Sequence, residues 1–269
     1  MQVGDWLKSA EIKLADNGIA TGRLDALVLL EDCLQKNRAW LLANSEFVIK
    51  PLLLEEINNL LSRRAQHEPL AYIRGKTEFY GREFYVNSSV LEPRPETESM
   101  IECLLNLPDI SPNWWYADVG TGSGAIGITV ALELQTDKLI LLDIEKSALK
   151  VAKTNVDKFT LSINTKLSNL IADTDRTFDV LLCNLPYVPD SFHINLAASY
   201  EPAIAIFGGK DGLDIYRQLF TQVAKTTARP LYILTESLPP QQPELKELAN
   251  DSGYLLTKTS DFIQVFKRH

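Results

Sequence analysis

Four consecutive residues near the middle of the chain, Asn184, Leu185, Pro186 and Tyr187, could hold a planar amino group. The oxygen of an Asn side chain and an adjacent backbone carbonyl can accept the two N–H bonds of an –NH2 group. Pro186 restricts Leu185 to an extended conformation, which fixes the direction of its carbonyl, and the Tyr187 ring can pack against a planar group. These residues, here named the Asn184 loop, could also be a strand end followed by an ordinary proline turn.

The chemistry that such a loop would serve is methylation of an amide or nucleobase nitrogen. The lone pair of that nitrogen is delocalised into the neighbouring π system, so the nitrogen is a poor nucleophile. Methyl transfer to it requires a geometry that aims the lone pair at the methyl donor. No strong base is needed, because the proton becomes acidic only after transfer.

A second candidate site is the sequence DVGTGSG, residues 118–124, here named the glycine turn. Glycines let the backbone turn tightly and approach a ligand closely, and a helix that begins behind them offers unpaired N–H groups. Asp143 ends the next predicted strand, where an acid meets ribose hydroxyls in nucleotide-binding folds. By themselves these residues are compatible with a dinucleotide, a nucleoside or a tight turn, and Asp143 with an acid that caps a turn.

Two departures from the dinucleotide fingerprint favour another ligand. The glycine spacing is GxGxG and not GxGxxG, and an acid precedes the first glycine by two residues. A carboxylate beside the ligand would repel a pyrophosphate but suits a cation. S-adenosylmethionine carries an ammonium and a sulfonium, so the turn favours this methyl donor. The residues predicted to bind it are Asp118, Gly120, Thr121, Gly122, Ser123, Gly124 and Asp143.

Strands and helices alternate from Trp114 onward. Helices are predicted at 125–134, 147–158 and 213–226, and a short strand at 165–167. Such alternation predicts a parallel sheet with helices on both faces. In these sheets ligands bind beyond the carboxyl ends of the strands, where the glycine turn and the Asn184 loop both occur.

The beginning of the chain follows a helical period instead. In 5–18, Asp5 is a candidate N-cap and Gly18 a stop, and Pro51 suits the first turn of another helix. We predict three to four short helices in an all-helical N-terminal domain, 1–74, with a role in substrate recognition. An aromatic, turn-punctuated stretch then predicts a linking β-hairpin, 75–92, followed by an α/β domain, 93–269.

Composition narrows the class of protein further. Of the 269 residues 45% are hydrophobic and 23% charged, which is typical of a soluble protein with a sizeable core. The net charge of −8 argues against a protein whose main task is to grip nucleic-acid phosphates. Three scattered cysteines and three histidines predict reduced thiols and no metal site. Without a signal peptide or a long apolar run, we expect a cytoplasmic protein with no membrane contact.

Several stretches together resemble a known family. Asn-x-Pro-Tyr after the fourth predicted strand, with DVGTGSG after the first, resembles the amino-directed methyltransferases of the Rossmann-like class. More specifically, the chain is similar to the protein-(glutamine-N5) methyltransferases that modify peptide chain release factors. Further stretches that carry this resemblance are RLDALVLLEDCL, EPLAYIRGKTEFYGREFYV, VLEPRPETE and YEPAIAIFGGKDGLDIYRQL.

The resemblance implies an S-adenosyl-L-methionine-dependent enzyme of translation termination. Its acceptor would be the glutamine of the Gly-Gly-Gln loop of release factors, and S-adenosyl-L-homocysteine its product. The resemblance also implies a monomer that does not bind nucleic acid directly. It places Asn184 between donor and acceptor, with the glutamine beside the Asn184 loop. Further residues expected to line the substrate pocket are Arg94, Pro95, Glu96, Thr97 and Glu98. Without the resemblance, Arg94 and Glu98 could form a surface ion pair at a helix start, with Thr97 as the cap.

The chain also departs from the family pattern. The family usually has Pro at position 185, but Leu185 still supplies a carbonyl, so we expect activity. Asn169 stands where an Asp is usual, and it can accept a hydrogen bond from the adenine amino group while Leu170 packs against the ring. Glu201, with Pro202 after it, could brace a loop or contact the substrate.

Two other functions stay open. An adenine- or guanine-directed DNA or RNA methyltransferase would share the Asn-x-Pro-aromatic chemistry, although the acidic charge and the absence of a basic target-recognition domain count against it. A degenerate fold that serves as a scaffold is suggested only by Leu185 and Asn169. The charge around the Asn184 loop separates the first two hypotheses, because nucleic acid needs a wide basic cleft.

Overall fold

The structure is a computed structural model that describes all residues, 1–269. It divides into two compact units. The first comprises Met1–Gly75 together with Asn195–Tyr200, and the second Lys76–Ile194 with Glu201–His269. No helix is long and apolar enough to cross a lipid bilayer.

The first unit consists mainly of helices. They are α1 (Val3–Asp16), α2 (Gly22–Leu34), α3 (Arg38–Ala43), α4 (Pro51–Ala65) and α5 (Leu70–Arg74). Five helices replace the three to four expected, because α3 and α5 are too short to show a helical period in the sequence. Pro51 occupies the first turn of α4 as predicted. The prediction of Asp5 as N-cap is wrong, since α1 begins two residues earlier and its first N–H groups donate to the carbonyls of Phe47 and Ser45.

The second unit begins with an antiparallel hairpin of β1 (Lys76–Phe79) and β2 (Arg82–Tyr85). A seven-stranded sheet follows, formed by β3 (Tyr116–Val119), β4 (Leu139–Asp143), β5 (Asn164–Leu167), β6 (Val180–Cys183), β7 (Tyr232–Glu236), β8 (Tyr254–Ser260) and β9 (Ile263–Arg268). The helices of this unit are α6 (Glu98–Leu105), α7 (Ala125–Leu134), α8 (Lys146–Lys158), α9 (Asp214–Lys225) and α10 (Gln242–Asp251).

The strand order is β5-β4-β3-β6-β7-β9-β8. The five strands from β5 to β7 are parallel, which confirms the Rossmann-like α/β fold, whereas β9 runs antiparallel to both neighbours. The expectation of an entirely parallel sheet is therefore wrong at this edge. Two antiparallel strands joined by a tight turn need no crossover helix, so the alternating pattern that revealed the other strands is missing here.

Two apolar layers cover the sheet. Buried side chains of α6, α7 and α8 pack on one face, and those of α9 and α10 on the other. The chain leaves β3 toward β4 on one side and returns to β6 on the other. This reversal leaves a crevice beyond the carboxyl ends of β3 and β6, which is where open α/β sheets bind ligands.

Candidate active site

The glycine turn connects β3 to α7 with a backbone that favours glycine. Gly120, Gly122 and Gly124 have φ angles of +70°, +54° and +83°. A Cβ atom on Gly120 would lie 3.0 Å from Cδ2 of Leu185. The turn therefore packs directly against the Asn184 loop, and a side chain at Gly120 would displace the end of the Leu185 side chain.

Asp118 lies beneath the glycine turn and does not line the cavity above it. Its Oδ2 accepts hydrogen bonds from the Thr121 hydroxyl at 2.6 Å and from the Gly127 N–H at 2.9 Å, while its Oδ1 is buried without a partner. Burial raises the pKa of Asp118 to about 6, although these two bonds counteract the rise. In this position the carboxyl group braces the turn from below.

Asp143 ends β4 and lines the cavity. Its Oδ2 accepts from the Gly122 N–H and its Oδ1 from the Glu145 N–H, both at 2.9 Å. Burial raises the pKa of Asp143, and the backbone N–H groups of Glu145 and Gly122 lower it. Each carboxylate oxygen has a further lone pair, so Asp143 can still accept from ligand hydroxyls.

The Asn184 loop follows β6, the neighbour of β3. Because Val119 pairs with Cys183 in the parallel register, the two turns leave the sheet side by side. Asn184 donates from Nδ2 to Oγ1 of Thr97 at 3.1 Å. Leu185 is buried, and its N–H is 3.4 Å from the hydroxyl oxygen of Tyr216.

Tyr216 and Tyr187 anchor this loop. The buried Tyr216 hydroxyl reaches the carbonyl oxygens of Cys183, at 3.0 Å, and Glu236. The Tyr187 hydroxyl donates to Oε1 of Glu236 at 3.0 Å, and its carbonyl accepts from Nε2 of Gln241 at 2.7 Å. Burial, followed by the nearby Glu236, raises the pKa of Tyr187. Tyr187 does not line the cavity, because its hydroxyl and its carbonyl bond to Glu236 and Gln241 instead.

Arg94 and Thr97 line the cavity, but the other predicted residues of their segment, Pro95, Glu96 and Glu98, do not. The guanidinium of Arg94 donates to Glu201 at 2.6 Å, and the Glu98 carboxylate accepts from the Tyr80 N–H at 2.7 Å. The alternative of an Arg94–Glu98 ion pair is therefore wrong. Thr97 does not cap α6 with its side chain.

Glu201 acts as a loop brace. Its side chain is 3% exposed, and it accepts from the Glu92 N–H at 3.2 Å as well as from Arg94. Burial raises the pKa of Glu201, whereas Arg94 is the strongest influence that lowers it. With both carboxylate oxygens engaged, Glu201 holds Arg94 at the cavity wall.

The glycine turn and the Asn184 loop share one cavity of about 270 Å³. The predicted site residues that line it are Arg94, Thr97, Gly120, Thr121, Gly122, Ser123, Asp143, Asn169, Leu170, Asn184, Leu185 and Pro186. Gly124, like Asp118 and Tyr187, lies outside the lining. No group of three or more His, Cys, Asp or Glu side chains is arranged to hold a metal ion.

Apolar residues complete the cavity wall, and the sequence did not single them out. They include Phe79, Val90, Ile126, Ile144 and Ile204. Ile144 and Ile204 are 52% and 51% exposed, so each offers an apolar surface to a ligand. Their sequence signal is weak: Ile144 directly follows the predicted acid Asp143, and Ile204 lies three residues after Glu201.

Comparison with known proteins agrees with this architecture. The family "PrmC N-terminal domain" matches residues 5–75, and the family "Methyltransferase small domain" matches 97–204. The chain has the fold of the 16S rRNA N2 G1207 methyltransferase of T. thermophilus, solved in complex with AdoMet and guanosine. The TM-score is 0.51 at 15% identity, over 72% of this chain and 50% of that one.

Sequence relatives match the chain at higher identity. A release factor glutamine methyltransferase of Koribacter versatilis is 37% identical over 206 residues, which is 75% of this chain and 74% of the relative. One of Clostridium acetobutylicum is 30% identical over 275 residues, or 98% of this chain and 96% of the relative. Since both the helical region and the methyltransferase fold are matched, this chain belongs to the release factor glutamine methyltransferase family.

Proposed function

We propose that this protein transfers a methyl group from S-adenosyl-L-methionine to the N5 amide nitrogen of the glutamine in the Gly-Gly-Gln loop of peptide chain release factors. One observation carries the proposal: the Asn184 loop and the glycine turn share a single cavity at the carboxyl ends of β3 and β6. The names of the relatives support the substrate, because they are release factor glutamine methyltransferases.

The donor side of the cavity fits S-adenosyl-L-methionine. Asp143 has lone pairs for ribose hydroxyls, exposed Ile144 offers an apolar surface for the adenine, and Asn169 and Leu170 line the same region. Gly120 and Gly122 line the same cavity, so the backbone of the glycine turn can lie close to the donor. When bound, this donor supplies an electrophilic methyl group on a positively charged sulfur.

The acceptor side provides two oxygens for the glutamine –NH2 group. Asn184 uses its Nδ2 for Thr97, which leaves Oδ1 to accept from the substrate, and the Leu185 carbonyl supplies the second acceptor. These two bonds would hold the nitrogen in one orientation and favour exposure of its lone pair to the methyl group. The nitrogen loses a proton after transfer, when its pKa has fallen, so the site needs no strong base.

The charge of the cavity wall favours glutamine over nucleic acid. Arg94 is the single Lys or Arg among the lining residues, and Glu201 already pairs with it. A protein that tracks a nucleic-acid backbone needs several free cations along its groove. We further propose that the helical region recognises the release factor, which the match to "PrmC N-terminal domain" supports.

The test is incubation with labelled S-adenosyl-L-methionine and purified release factors, one set unchanged and one with the Gly-Gly-Gln glutamine replaced. We expect label on the unchanged factor alone. Label that persists on the changed factor would overturn the proposal, and label on an RNA or DNA acceptor would favour the nucleic-acid alternative. Calorimetry with the donor addresses the scaffold hypothesis, because a scaffold without catalytic function need not bind it.

A further inference from the structure

A buried carboxyl group, Glu236, lies next to the Asn184 loop, and the reaction proposed above does not use it. Glu236 ends β7, the strand beside β6, and is 1% exposed. Its Oε1 accepts from the Tyr187 hydroxyl at 3.0 Å, while its Oε2 is buried without a hydrogen bond of standard geometry. A buried charge with a spare acceptor is costly, so its position requires a reason.

Thr97 provides a connection between this carboxyl group and Asn184. The side chain of Thr97 is buried and does not cap α6, and its Oγ1 accepts from Nδ2 of Asn184 at 3.1 Å. The hydroxyl proton of Thr97 is then still free to be donated. Because Cys183 pairs with Thr235 in the parallel register, Glu236 and Asn184 follow at the ends of neighbouring strands. Oε2 of Glu236 has no hydrogen-bond partner, so we assign it as the acceptor of the Thr97 hydroxyl proton. Burial raises the pKa of Glu236, and the nearby side chains of Thr97, Tyr187 and Asn184 lower it.

The direction of these hydrogen bonds follows from the chemistry of the groups. An ionised carboxylate can only accept, so a hydroxyl that faces it must donate. Once the Thr97 proton points to Glu236, the Thr97 oxygen can only accept, which selects the –NH2 end of the Asn184 amide. The Oδ1 end of Asn184 is left for the cavity. With the amide reversed, Asn184 would present donors to a substrate –NH2 group that also donates.

We propose that Glu236 and Thr97 are positioning residues that fix which end of the Asn184 amide faces the acceptor nitrogen. This inference rests on the proposed function and deepens it. Thr97 acts through Asn184, and the carboxylate of Glu236 determines which group donates in each hydrogen bond between Glu236, Thr97 and Asn184. Neither residue needs to touch the methyl donor.

The test compares Thr97→Val, which keeps the shape and removes the hydroxyl, with Thr97→Ser, which keeps the hydroxyl. We expect Thr97→Val to lower kcat about 10- to 100-fold, the range for a misaligned reacting group, with an unchanged Kd for the donor by calorimetry. Thr97→Ser should restore most of the lost rate. The matched control is Thr129→Val in α7, where an equally buried hydroxyl has no hydrogen-bond partner and kcat should not change.

Glu236→Gln supplies a second, independent variant. Its new –NH2 group can donate to Thr97 and reverse the chain of bonds, so we expect a lower kcat with retained donor binding. The proposal is overturned if Thr97→Val stays within threefold of the wild type, or if Thr97→Ser loses as much rate as Thr97→Val. Failure of the wild type to label release factors would instead contradict the proposed function, which keeps the two outcomes distinct.

A pH profile adds a readout that a purely structural role would not change. The raised pKa of Glu236 means that this group gains its proton at a higher pH than an ordinary carboxyl. A protonated Glu236 can donate to Thr97, so kcat should fall as the pH falls through that pKa. The other titratable groups that face Glu236 are Glu96, Tyr187 and Tyr216. In Thr97→Val kcat should no longer fall at low pH. A fall in kcat that persists in this variant would contradict the proposed role of Glu236.

Discussion

The glycine turn and the Asn184 loop lie side by side at one edge of the sheet, but their supporting hydrogen bonds span different distances in sequence. Asp118 bonds to residues 3 and 9 positions away, and Asp143 reaches the turn across 21 positions. Asn184 bonds to Thr97 across 87 positions, and Tyr187 to Glu236 across 49. The donor side is thus built by neighbouring segments, and the acceptor side by distant ones.

This difference separates the expected consequences of mutation. Changes in the glycine turn alter a locally determined backbone that faces the donor, so they should appear in donor affinity or in stability. Changes around the Asn184 loop alter the orientation of the Asn184 side-chain amide, so they should appear in kcat. Four variants test this contrast, in order of decreasing expected effect.

Asn184→Ala should have the largest effect. It removes one of the two acceptors that we propose for the substrate –NH2 group, so we expect kcat to fall about 100-fold or more, while the Kd of the donor changes little. Single-turnover transfer and calorimetry measure the two quantities. Asn106→Ala, at the exposed C-terminus of α6, is the control. If Asn184→Ala remained active, Asn184 would not be the orienting group.

Asp118→Asn should change the pH dependence of stability. Asp118 has a pKa of about 6 in the folded protein, above the value of about 4 for an unfolded chain. Its contribution to stability is therefore complete below pH 4 and is lost as the pH rises to about 6. The Asp118→Asn variant does not lose this part of the free energy of unfolding, which is on the order of 2–3 kcal/mol.

Denaturant unfolding between pH 4 and 7 measures this effect. The free energy of unfolding of Asp118→Asn relative to the wild type should increase with pH up to about 6 and then level off. Asp16→Asn removes an exposed carboxylate and serves as the control. A pH-independent difference would mean that Asp118 is not a buried acid with a raised pKa.

Gly120→Ala should weaken donor binding about tenfold. Its new Cβ atom would lie 3.0 Å from Cδ2 of Leu185, and the alanine would have to keep the left-handed φ of +70°. Gly81→Ala has the same backbone problem, with a φ of +68°, but its Cβ would have no neighbour within 4 Å. Both variants should lose stability through their left-handed backbone, whereas calorimetry should detect weaker donor binding in Gly120→Ala only. Equal donor affinities would contradict the close packing of the two turns.

Leu185→Pro should have the smallest effect, because the family usually has proline at this position. The carbonyl is retained, and the N–H that is removed lies 3.4 Å from the Tyr216 hydroxyl, too long for a strong bond. We expect kcat and KM within about threefold of the wild type. A larger change in kcat would show that this loop depends on more than its carbonyl.

Much of the fold and of the donor side could be predicted from the sequence. Periodicity located α7 at its observed bounds, and the resemblance named a family that the relatives confirm. The predictions failed where the local pattern lacked information. Asp5 is not an N-cap, and the final antiparallel strands are not separated by a helix, so the alternating pattern does not reveal them. The roles of the individual site residues stay predictions that the variants above can test.

The glycine turn, the Asn184 loop and the alternation of strands and helices are predictable from the amino-acid sequence, because they depend on backbone conformation and on apolar period within a few residues. The tertiary structure alone places β6 beside β3, buries Asp118 beneath the turn, and brings Thr97 to Asn184 and Glu236 to Tyr187. These contacts depend on strand order and on the packing of segments far apart in the chain. No local pattern encodes the partner of a side chain that lies 87 residues away.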